Sequence, residues 1–270
     1  MSAPHFLVIG AQKAGTTWLE KNLCQHPEIA APQHKELHFF DKEENYARGV
    51  GWYESQLGEG LSGEFTPNYF WIPSSKEEAV ESGQSLAIPE RVYSHYPNLR
   101  LIVILRDPAA RAISSYYHHI RARRIRPDQS IREVGHRYGI LSMGNYARML
   151  KAWQAIFPEE QFHIMVYEEA ILQDSELAMK ACYRFLGVDS DFHPSGLSRA
   201  RNRGNSHFLL RMNHAFPPLA RFLQKYWPGL GSGWNRFRIP VSEGDRTWLR
   251  KNYSAEISEL EELLGRELPW

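Results

Sequence analysis

A short segment near the start of the chain, GAQKAGTTWL, contains the residue types that bind anions. It follows the apolar run Phe6 to Ile9 and precedes a helical pattern, which predicts a strand, a tight loop from Gly10 to Thr17 and a helix start. Backbone N–H groups and the helix dipole converge at such a point and favour a phosphate-like anion. Lys13 adds a full positive charge, and Thr16 and Thr17 offer hydroxyl donors that would also cap the helix.

The order of residues in this loop separates it from the common nucleotide-binding loops. The nucleoside triphosphatase loop needs its lysine directly after the second glycine, whereas here Lys13 precedes Gly15. The glycine pattern of dinucleotide-binding loops is also absent. The order argues against an ordinary ATPase and leaves two interpretations: an anion loop of another kind, or a plain strand-to-helix turn with a solvent-facing lysine.

A second candidate anion site lies in LIVILRDPAARAISSYYHH. A buried strand there leads to Arg106 and then to a helix that contains Ser114. Arginine presents a planar fork suited to phosphate, and a serine near a helix start lies where anions are favoured. The alternative is that Arg106 pairs with Asp107 or another carboxylate, as surface arginines commonly do.

Candidate proton-transfer groups lie in APQHKELHFFD. In an extended run Glu36 and His38 project on the same side, while Leu37 turns toward the core. A carboxylate or an imidazole can remove the proton of an attacking hydroxyl, and the ordinary pKa of histidine is near neutrality. Three alternatives stay open: His38 is the base, Glu36 only orients an acceptor, or Glu36 only pairs with Lys35 or a nearby arginine.

The elements that must position these residues alternate between strands and helices. Strands are predicted at Phe6 to Ile9, Leu101 to Leu105 and Phe162 to Val166, and helices at Thr16 to Gln25, Ala109 to Arg123, Tyr146 to Phe157, Asp174 to Leu186 and Ser242 to Leu264. Alternation of this kind predicts one α/β domain over residues 1–270, P-loop-like, with a central parallel sheet flanked by helices. Ligands bind beyond the carboxyl ends of such strands, at the loops that begin at Gly10 and Arg106.

Composition and charge narrow the class of protein. The 32 basic and 31 acidic residues give a net charge of +1, which offers no global attraction for nucleic acid or anionic membranes. Cys24 and Cys182 lack metal-ligand spacing, so no metal site is expected. No apolar run approaches the length of a membrane span, and the N-terminus lacks a leader pattern, so a cytoplasmic location is expected.

The loop sequence GAQKAGTTWL resembles the 5′-phosphosulfate loop of sulfotransferases that use 3′-phosphoadenosine 5′-phosphosulfate (PAPS). The segment around Arg106 and Ser114 resembles the second signature of the same family, in which an arginine and a serine bind the donor 3′-phosphate. The resemblance implies PAPS as donor, 3′-phosphoadenosine 5′-phosphate (PAP) as product and no metal. In the loop it implies donor contacts from Lys13, Ala14, Gly15, Thr16, Thr17 and Trp18, with Lys13 also catalytic.

The segments KELHFFD and TPNYF are similar to the K-E-x-H-F-F-D and T-P-x-Y-F patterns of the heparan sulfate sulfotransferases. This resemblance implies that Glu36 is the catalytic base and that His38 and Asp41 accompany it. One departure concerns the lysine that this pattern places just before the T-P pair, where the chain has Phe65. Either Lys13 then works with hydroxyls and backbone donors alone, or another basic residue reaches the site; an aromatic residue there would suit a less polar acceptor.

A later loop, SRARNRGNSH, resembles the segment that closes over the donor, which implies donor contacts from Arg201 and Arg203. The alternative is a solvated basic loop. Residues 195–240 form a predicted cover over the acceptor.

The predicted function is transfer of a sulfuryl group from PAPS to a hydroxyl acceptor, which is a glycan, a small molecule or a carrier-bound intermediate. The alternatives are a P-loop kinase-like phosphotransferase and a catalytically silent nucleotide-binding protein, for which Phe65 is the sequence support.

Overall fold

The computed structural model describes residues 3–197 and 241–270. At its centre lies a five-stranded sheet in the order β2-β3-β1-β4-β5, and every pairing is parallel. The strands are β1 (Phe6–Gly10), β2 (Ile29–Ala30), β3 (Leu61–Glu64), β4 (Arg100–Leu105) and β5 (Phe162–Val166). The predicted α/β class with a central parallel sheet is confirmed.

Helices fill the connections between the strands and follow the last one. They are α1 (Thr16–Leu23), α2 (Glu43–Tyr46), α3 (Val50–Ser55), α4 (Lys76–Ser82), α5 (Ile88–His95), α6 (Pro108–Arg121), α7 (Ile131–Val134), α8 (Tyr146–Gln154), α9 (Ser175–Leu186) and α10 (Glu243–Leu264). A π-helical turn, Glu168–Gln173, follows β5. Within the described ranges, no helix is both long enough and apolar enough to cross a membrane.

The strands and helices with strong apolar patterns form where they were predicted. Strand β1 is buried at every position and β4 at every position after Arg100, because each is covered on both faces of a parallel sheet. Helix α9 ends at Gly187, which adopts the left-handed conformation of a helix C-cap. The final helix begins after Ser242, whose hydroxyl accepts a hydrogen bond from the backbone N–H of Asp245.

Strand β3 escapes prediction because its sequence is LSGE, with two polar residues and a glycine. Its Ser62 and Glu64 are nevertheless fully buried. A Cβ atom at Gly63 would lie 2.4 Å from the Phe6 ring, so the glycine is required for close packing against the neighbouring strand. The strand is therefore specified by what packs against it and not by an apolar pattern of its own.

The strand order places the candidate loops next to each other. After β1 the chain builds β2 and β3 on one side, and it then crosses to build β4 and β5 on the other. The reversal occurs between β1 and β4, where open α/β sheets bind their ligands. The backbone N–H of Ala11 donates to the carbonyl of Ile104 at 2.8 Å, so the loops after these two strands start side by side.

Candidate active site

The loop from Gly10 to Thr17, called the donor loop below, depends on its glycines. Gly15 has a φ of 106°, and a Cβ atom there would lie 2.5 Å from Ile171 Cδ1 and 3.1 Å from Tyr167 Cδ2. A Cβ atom at Gly10 would lie 2.4 Å from Phe70 Cβ. Both positions therefore exclude larger residues, and the loop packs closely against the elements beside it.

The sequence suggested that the two threonines of the donor loop cap α1, but they do not. Gly15 is the N-cap, and no side chain accepts a hydrogen bond from the first turn. Thr16 is buried as the first helical residue, while the Thr17 hydroxyl accepts a hydrogen bond from Lys35 Nζ at 2.6 Å. The expected capping role fails because Gly15, in the left-handed conformation, occupies the N-cap position and both threonines lie inside the helix.

Ala14 and Trp18 lie on either side of the helix start. Ala14 is fully buried, and its backbone N–H donates to the carbonyl of Ala11 at 3.1 Å. Trp18 is half-buried, and its indole Nε1 donates to the carbonyl of Leu197 at 3.1 Å. The start of the predicted 195–240 cover thus contacts the end of the donor loop.

Arg106 joins the two candidate loops. Its Nη1 donates to the carbonyl of Lys13 at 3.1 Å, and its guanidinium lies 4.7 Å from the centre of the Tyr167 ring. Its buried Nε has no hydrogen-bond partner among the described residues. Asp107 does not pair with it, because the Asp107 carboxylate caps α6 by accepting from the backbone N–H of Ala109 at 2.8 Å.

Ser114 lies one turn into α6, as expected. The helix begins at Pro108, so Ser114 is past the first turn and is half-buried. The favourable field of a helix N-terminus falls off within the first turn and does not account for an anion at this position. A contact with an anion there would depend on the hydroxyl group itself.

The electrostatics of Lys13 point to a site for a multiply charged anion. Burial, followed by the nearby charge of Arg121, lowers the pKa of Lys13 to about 8. Lys35 and Arg106 lower it further, and the raising effect of Glu36 does not offset them. Cations gathered this closely are stabilised when an anion binds between them. The orphaned Nε of Arg106 and the depressed pKa of Lys13 both fit a phosphate- and sulfate-bearing donor.

Glu36, His38 and Asp41 form a chain of side chains. His38 Nδ1 donates to Asp41 Oδ2 at 2.8 Å, and His38 Nε2 lies 3.6 Å from Glu36 Oε2. Leu37 between them is buried, as predicted. The backbone is not the extended run that was expected, since His38 has a φ of 51°. The bend brings the imidazole between the two carboxylates.

The contacts between Glu36, His38 and Asp41 set the protonation states of Glu36 and His38. Burial disfavours the imidazolium, but the hydrogen bonds to Asp41 and Glu36 outweigh it and raise the pKa of His38 to about 10. For Glu36, burial acts to raise the pKa, and the hydrogen bond to His38 and the charge of Lys35 outweigh it and lower the pKa below its ordinary value. Glu36 is thus a carboxylate at neutral pH, and His38 is a cation that forms an ion pair with it.

A buried carboxylate, Glu64, binds the backbone of the segment that carries Glu36 and His38. Glu64 Oε1 accepts from the backbone N–H of Leu37 at 3.0 Å and from the Tyr69 hydroxyl at 2.9 Å, and it also accepts from the Thr66 hydroxyl. The Tyr69 hydroxyl in turn accepts from the backbone N–H of Phe39 at 2.8 Å. Burial raises the pKa of Glu64 to about 7, although these hydrogen bonds act to lower it.

Phe65 does not face the site. Its side chain is fully buried and packs edge-on against Phe6, with ring centroids 5.8 Å apart. The expectation that an aromatic residue here suits a less polar acceptor is therefore wrong, because the ring belongs to the core. The aromatic residues near it, Tyr53, Tyr69, Phe70 and Trp71, are buried as well.

Three residues of the site were not singled out from sequence: Lys35, Glu64 and His118. Lys35 was considered only as a partner for Glu36, although it is the first residue of the K-E-x-H-F-F-D pattern and Phe65 lacks the lysine of that pattern's partner segment. Glu64 lies on a strand that the sequence did not predict. In His118, burial and then the charges of Lys13 and Arg121 lower the pKa to about 4, which leaves a neutral imidazole beside the donor loop.

Two predicted donor residues, Arg201 and Arg203, lie outside the described residues, as does the cover from residue 198 to residue 240. In the ranges 3–197 and 241–270, no group of three or more His, Cys, Asp or Glu side chains is arranged to hold a metal ion.

Comparison with solved structures supports the fold. A crystal structure of a sulfotransferase from Alicyclobacillus acidocaldarius superposes with a TM-score of 0.68 at 24% identity, covering 99% of this chain and 98% of that one. A sulfotransferase domain from the curacin biosynthetic pathway superposes with a TM-score of 0.50 at 13% identity, covering 94% and 99%.

Comparison with known sequences identifies the family. The chain is 27% identical over 282 residues to heparan sulfate glucosamine 3-O-sulfotransferase 5 of Mus musculus, covering 99% of this chain and 74% of the relative. It is 31% identical over 212 residues to the bifunctional heparan sulfate N-deacetylase/N-sulfotransferase of Drosophila melanogaster, covering 69% of this chain and 20% of the relative. Residues 3–202 match the family model of the sulfotransferase domain. The chain therefore belongs to the sulfotransferase family and is a PAPS-dependent enzyme similar to the heparan sulfate type.

Proposed function

We propose that this enzyme transfers a sulfuryl group from PAPS directly to an acceptor hydroxyl, with Glu36 as the base that removes the hydroxyl proton. The observation that carries the proposal is the bridge between Glu36 and the donor loop. Lys35 Nζ lies 2.6 Å from Thr17 Oγ1 and 3.3 Å from Glu36 Oε1, so a carboxylate base stands one side chain away from the anion loop. Such proximity is what general-base catalysis requires.

The donor-binding part of the proposal rests on Lys13, Arg106 and the start of α1. PAPS, when bound, supplies the sulfuryl group on its 5′-phosphate, and PAP is the product once the acceptor oxygen has taken that group. Lys13 and the backbone N–H groups after Gly15 would hold the 5′ anion and stabilise its growing charge. Arg106 and Ser114 would bind the 3′-phosphate, and the unpartnered Nε of Arg106 supports that role.

The acid–base part rests on the protonation states of Glu36 and His38. A carboxylate with a lowered pKa is ionised and ready to accept the hydroxyl proton at neutral pH. His38 carries its proton already, which favours Glu36 over His38 as the base. Held by Asp41, the imidazolium would orient Glu36 and keep it ionised.

A hydroxyl acceptor is supported by relatives named 3-O-sulfotransferases, although another relative is named an N-sulfotransferase. Within the hydroxyl class we propose a glycan, a small molecule or a carrier-bound intermediate. The Phe65 ring fills the core, so the sequence support for a silent protein is the missing lysine at this position and not the ring.

Radiolabelled PAPS tests the proposal when it is incubated with oligosaccharides, phenols, aliphatic alcohols, carrier-bound hydroxyacyl groups and matched amines. We expect label to pass to a hydroxyl acceptor. Glu36→Gln should lower the turnover by about 10²–10⁴-fold and leave PAP affinity unchanged by calorimetry, while Glu44→Gln, on the exposed face of α2, should match the native enzyme.

Three outcomes would count against the proposal. Undiminished transfer by Glu36→Gln would remove Glu36 as the base. A preference for ATP over PAP in calorimetry would favour a kinase-like enzyme. Intact PAP binding without transfer to any acceptor of the panel would favour a silent nucleotide-binding protein.

A further inference from the structure

The heparan-type pattern places a lysine before the T-P pair, and this chain has Phe65 there. The Phe65 ring is turned into the core against Phe6, so this position contributes no charge to the donor site. Its backbone is informative, however. The backbone N–H of Phe65 donates to the carbonyl of Lys35 at 3.3 Å, so a lysine lies directly across a main-chain hydrogen bond from the position that lacks one.

The ammonium group of Lys35 extends toward the donor loop. Nζ donates to Thr17 Oγ1 at 2.6 Å and lies 3.3 Å from Glu36 Oε1 and 3.7 Å from Glu20 Oε2. The side chain is 24% exposed, so it reaches the surface of the cleft and is not sealed beneath it. Two oxygen atoms from α1 and one from Glu36 therefore hold the ammonium between the donor loop and the candidate base.

Lys35 and Lys13 act on the same region. The charge of Lys35 is one of the causes that lower the pKa of Lys13, so the two ammonium groups are close enough to repel each other. Two cations held against such repulsion favour an anion placed within reach of both. The carboxylates of Glu20 and Glu36 balance part of the charge of Lys35, and Glu36 acts on Lys13 as well, yet the pKa of Lys13 stays lowered.

We propose that Lys35 supplies to the sulfuryl oxygens of the donor the positive charge that the heparan-type pattern supplies from the position of Phe65. This inference rests on the proposed function. The ammonium donates to a sulfuryl oxygen while Thr17 and Glu36 hold it in place, and its charge stabilises those oxygens as the group passes to the acceptor. Lys35 thereby contacts both the donor and Glu36. This contact places the base beside the sulfuryl group that is transferred.

If Lys35 has only a structural role, its removal should have a different effect on nucleotide binding. The affinities for PAPS and PAP distinguish this structural role from the proposed contact with the sulfuryl oxygens. PAPS carries the sulfuryl group and PAP does not, and both carry the phosphates. If Lys35 only holds Thr17 in position, Lys35→Met lowers the affinities for PAPS and PAP equally. If Lys35 contacts the sulfuryl oxygens, it weakens PAPS alone.

The experiment measures PAPS and PAP affinities by calorimetry without acceptor for the native enzyme, Lys35→Met, Lys35→Arg and the control Lys21→Met. Lys21 is an exposed lysine of α1. We expect Lys35→Met to weaken PAPS by about 10-fold or more and PAP by less than about 2-fold, and to lower kcat by about 10²-fold. Lys35→Arg should recover part of both losses, and Lys21→Met should show neither.

Chemical rescue provides a second test. Methylammonium added to Lys35→Ala should restore turnover in a saturable way, and it should leave Lys21→Met unaffected. Equal weakening of PAPS and PAP, or unchanged PAPS affinity, would overturn the proposal, provided that thermal unfolding shows the variants to be folded. Failure of the proposed function has a separate signature, because the native enzyme itself would then prefer ATP to PAP, or bind PAP and transfer label to no acceptor of the panel.

Discussion

The Oε1 atom of Glu64 lies 3.0 Å from the backbone nitrogen of Leu37 and accepts its N–H. This contact fixes the segment that carries Glu36 and His38 to the end of β3. Because burial raises the pKa of Glu64 to about 7, from an ordinary value of 4.5, the folded state holds this proton more tightly than the unfolded state. The contribution of Glu64 to stability is therefore present below pH 4.5 and is lost as the pH rises through 7, by about 1.4 kcal/mol per pKa unit at most.

We predict that Glu64→Gln removes this pH dependence and also lowers turnover, because an amide NH2 group then faces N–H and O–H donors. Urea unfolding of both proteins at about pH 5 and about pH 8 measures the first effect, as other titrating groups cancel in the difference. Glu44→Gln should retain the native pH dependence. Parallel slopes for native and Glu64→Gln proteins would contradict the assigned pKa.

Lys13 should take up a proton when the donor binds. Its pKa of about 8 reflects burial and nearby cations, and a bound anion reverses that balance and raises the pKa. Donor affinity should therefore fall as the pH rises through 8. Calorimetry of PAP binding at about pH 8.5, in buffers of different ionisation enthalpy, should detect the proton, and Lys13→Met should lose the signal. We expect Lys13→Met to lower kcat by about 10²–10³-fold; a native enzyme that binds PAP without proton uptake would disprove the assignment.

His38 should control the pH range of activity through Glu36. Its pKa of about 10 means that the imidazolium is present below that pH and is lost above it, so turnover should decline as the pH rises through 10. His38→Asn should also shift the acid limb of the kcat/KM profile to higher pH, because the pKa of Glu36 rises when the cation is removed. Asp41→Asn should weaken the same effect from one residue further away. An unshifted acid limb in His38→Asn would show that the imidazolium does not act on the base.

Gly15 should tolerate no side chain, for two separable reasons. Its φ of 106° strains any other residue, and a Cβ atom would clash with Ile171. Gly49 offers a matched control, because its φ is 80° and its Cβ position is open. We expect Gly49→Ala to cost about 1–3 kcal/mol of unfolding free energy from backbone strain alone. Gly15→Ala should cost more and should also abolish PAP binding; equal costs with intact binding would contradict the packing argument.

Much of the fold could be predicted from the sequence because buried strands are recognisable as short apolar runs. Strands β1 and β4 are buried on both faces and β5 is buried at Met165 and Val166, and their apolar runs predict them directly. Strand β3 was missed because its burial comes from Gly63 against Phe6 and from Glu64 beneath the active-site segment. Such positions depend on neighbours that are distant in sequence.

The sequence predicted which residues form the candidate site better than it predicted their geometry. Lys13 and Arg106 lie beyond the carboxyl ends of β1 and β4, as the strand–loop pattern predicts, while Glu36 and His38 lie beside the end of β3, a strand that was not predicted. Two details did not follow: the use of Gly15 rather than a threonine as the N-cap of α1, and the left-handed backbone of His38. Each is decided by local backbone conformation, which the identity of a residue alone does not determine.

The hydrogen bond between the backbones of Phe65 and Lys35 has a consequence for tracing the ancestry of related enzymes. A charge can move between two paired segments during evolution without an inactive ancestor, because a chain with lysine at both positions can afford to lose one. On the proposed role of Lys35, the residue before the T-P pair is a poor marker of lost activity. Sequence surveys that sort active from inactive relatives should score the two positions together.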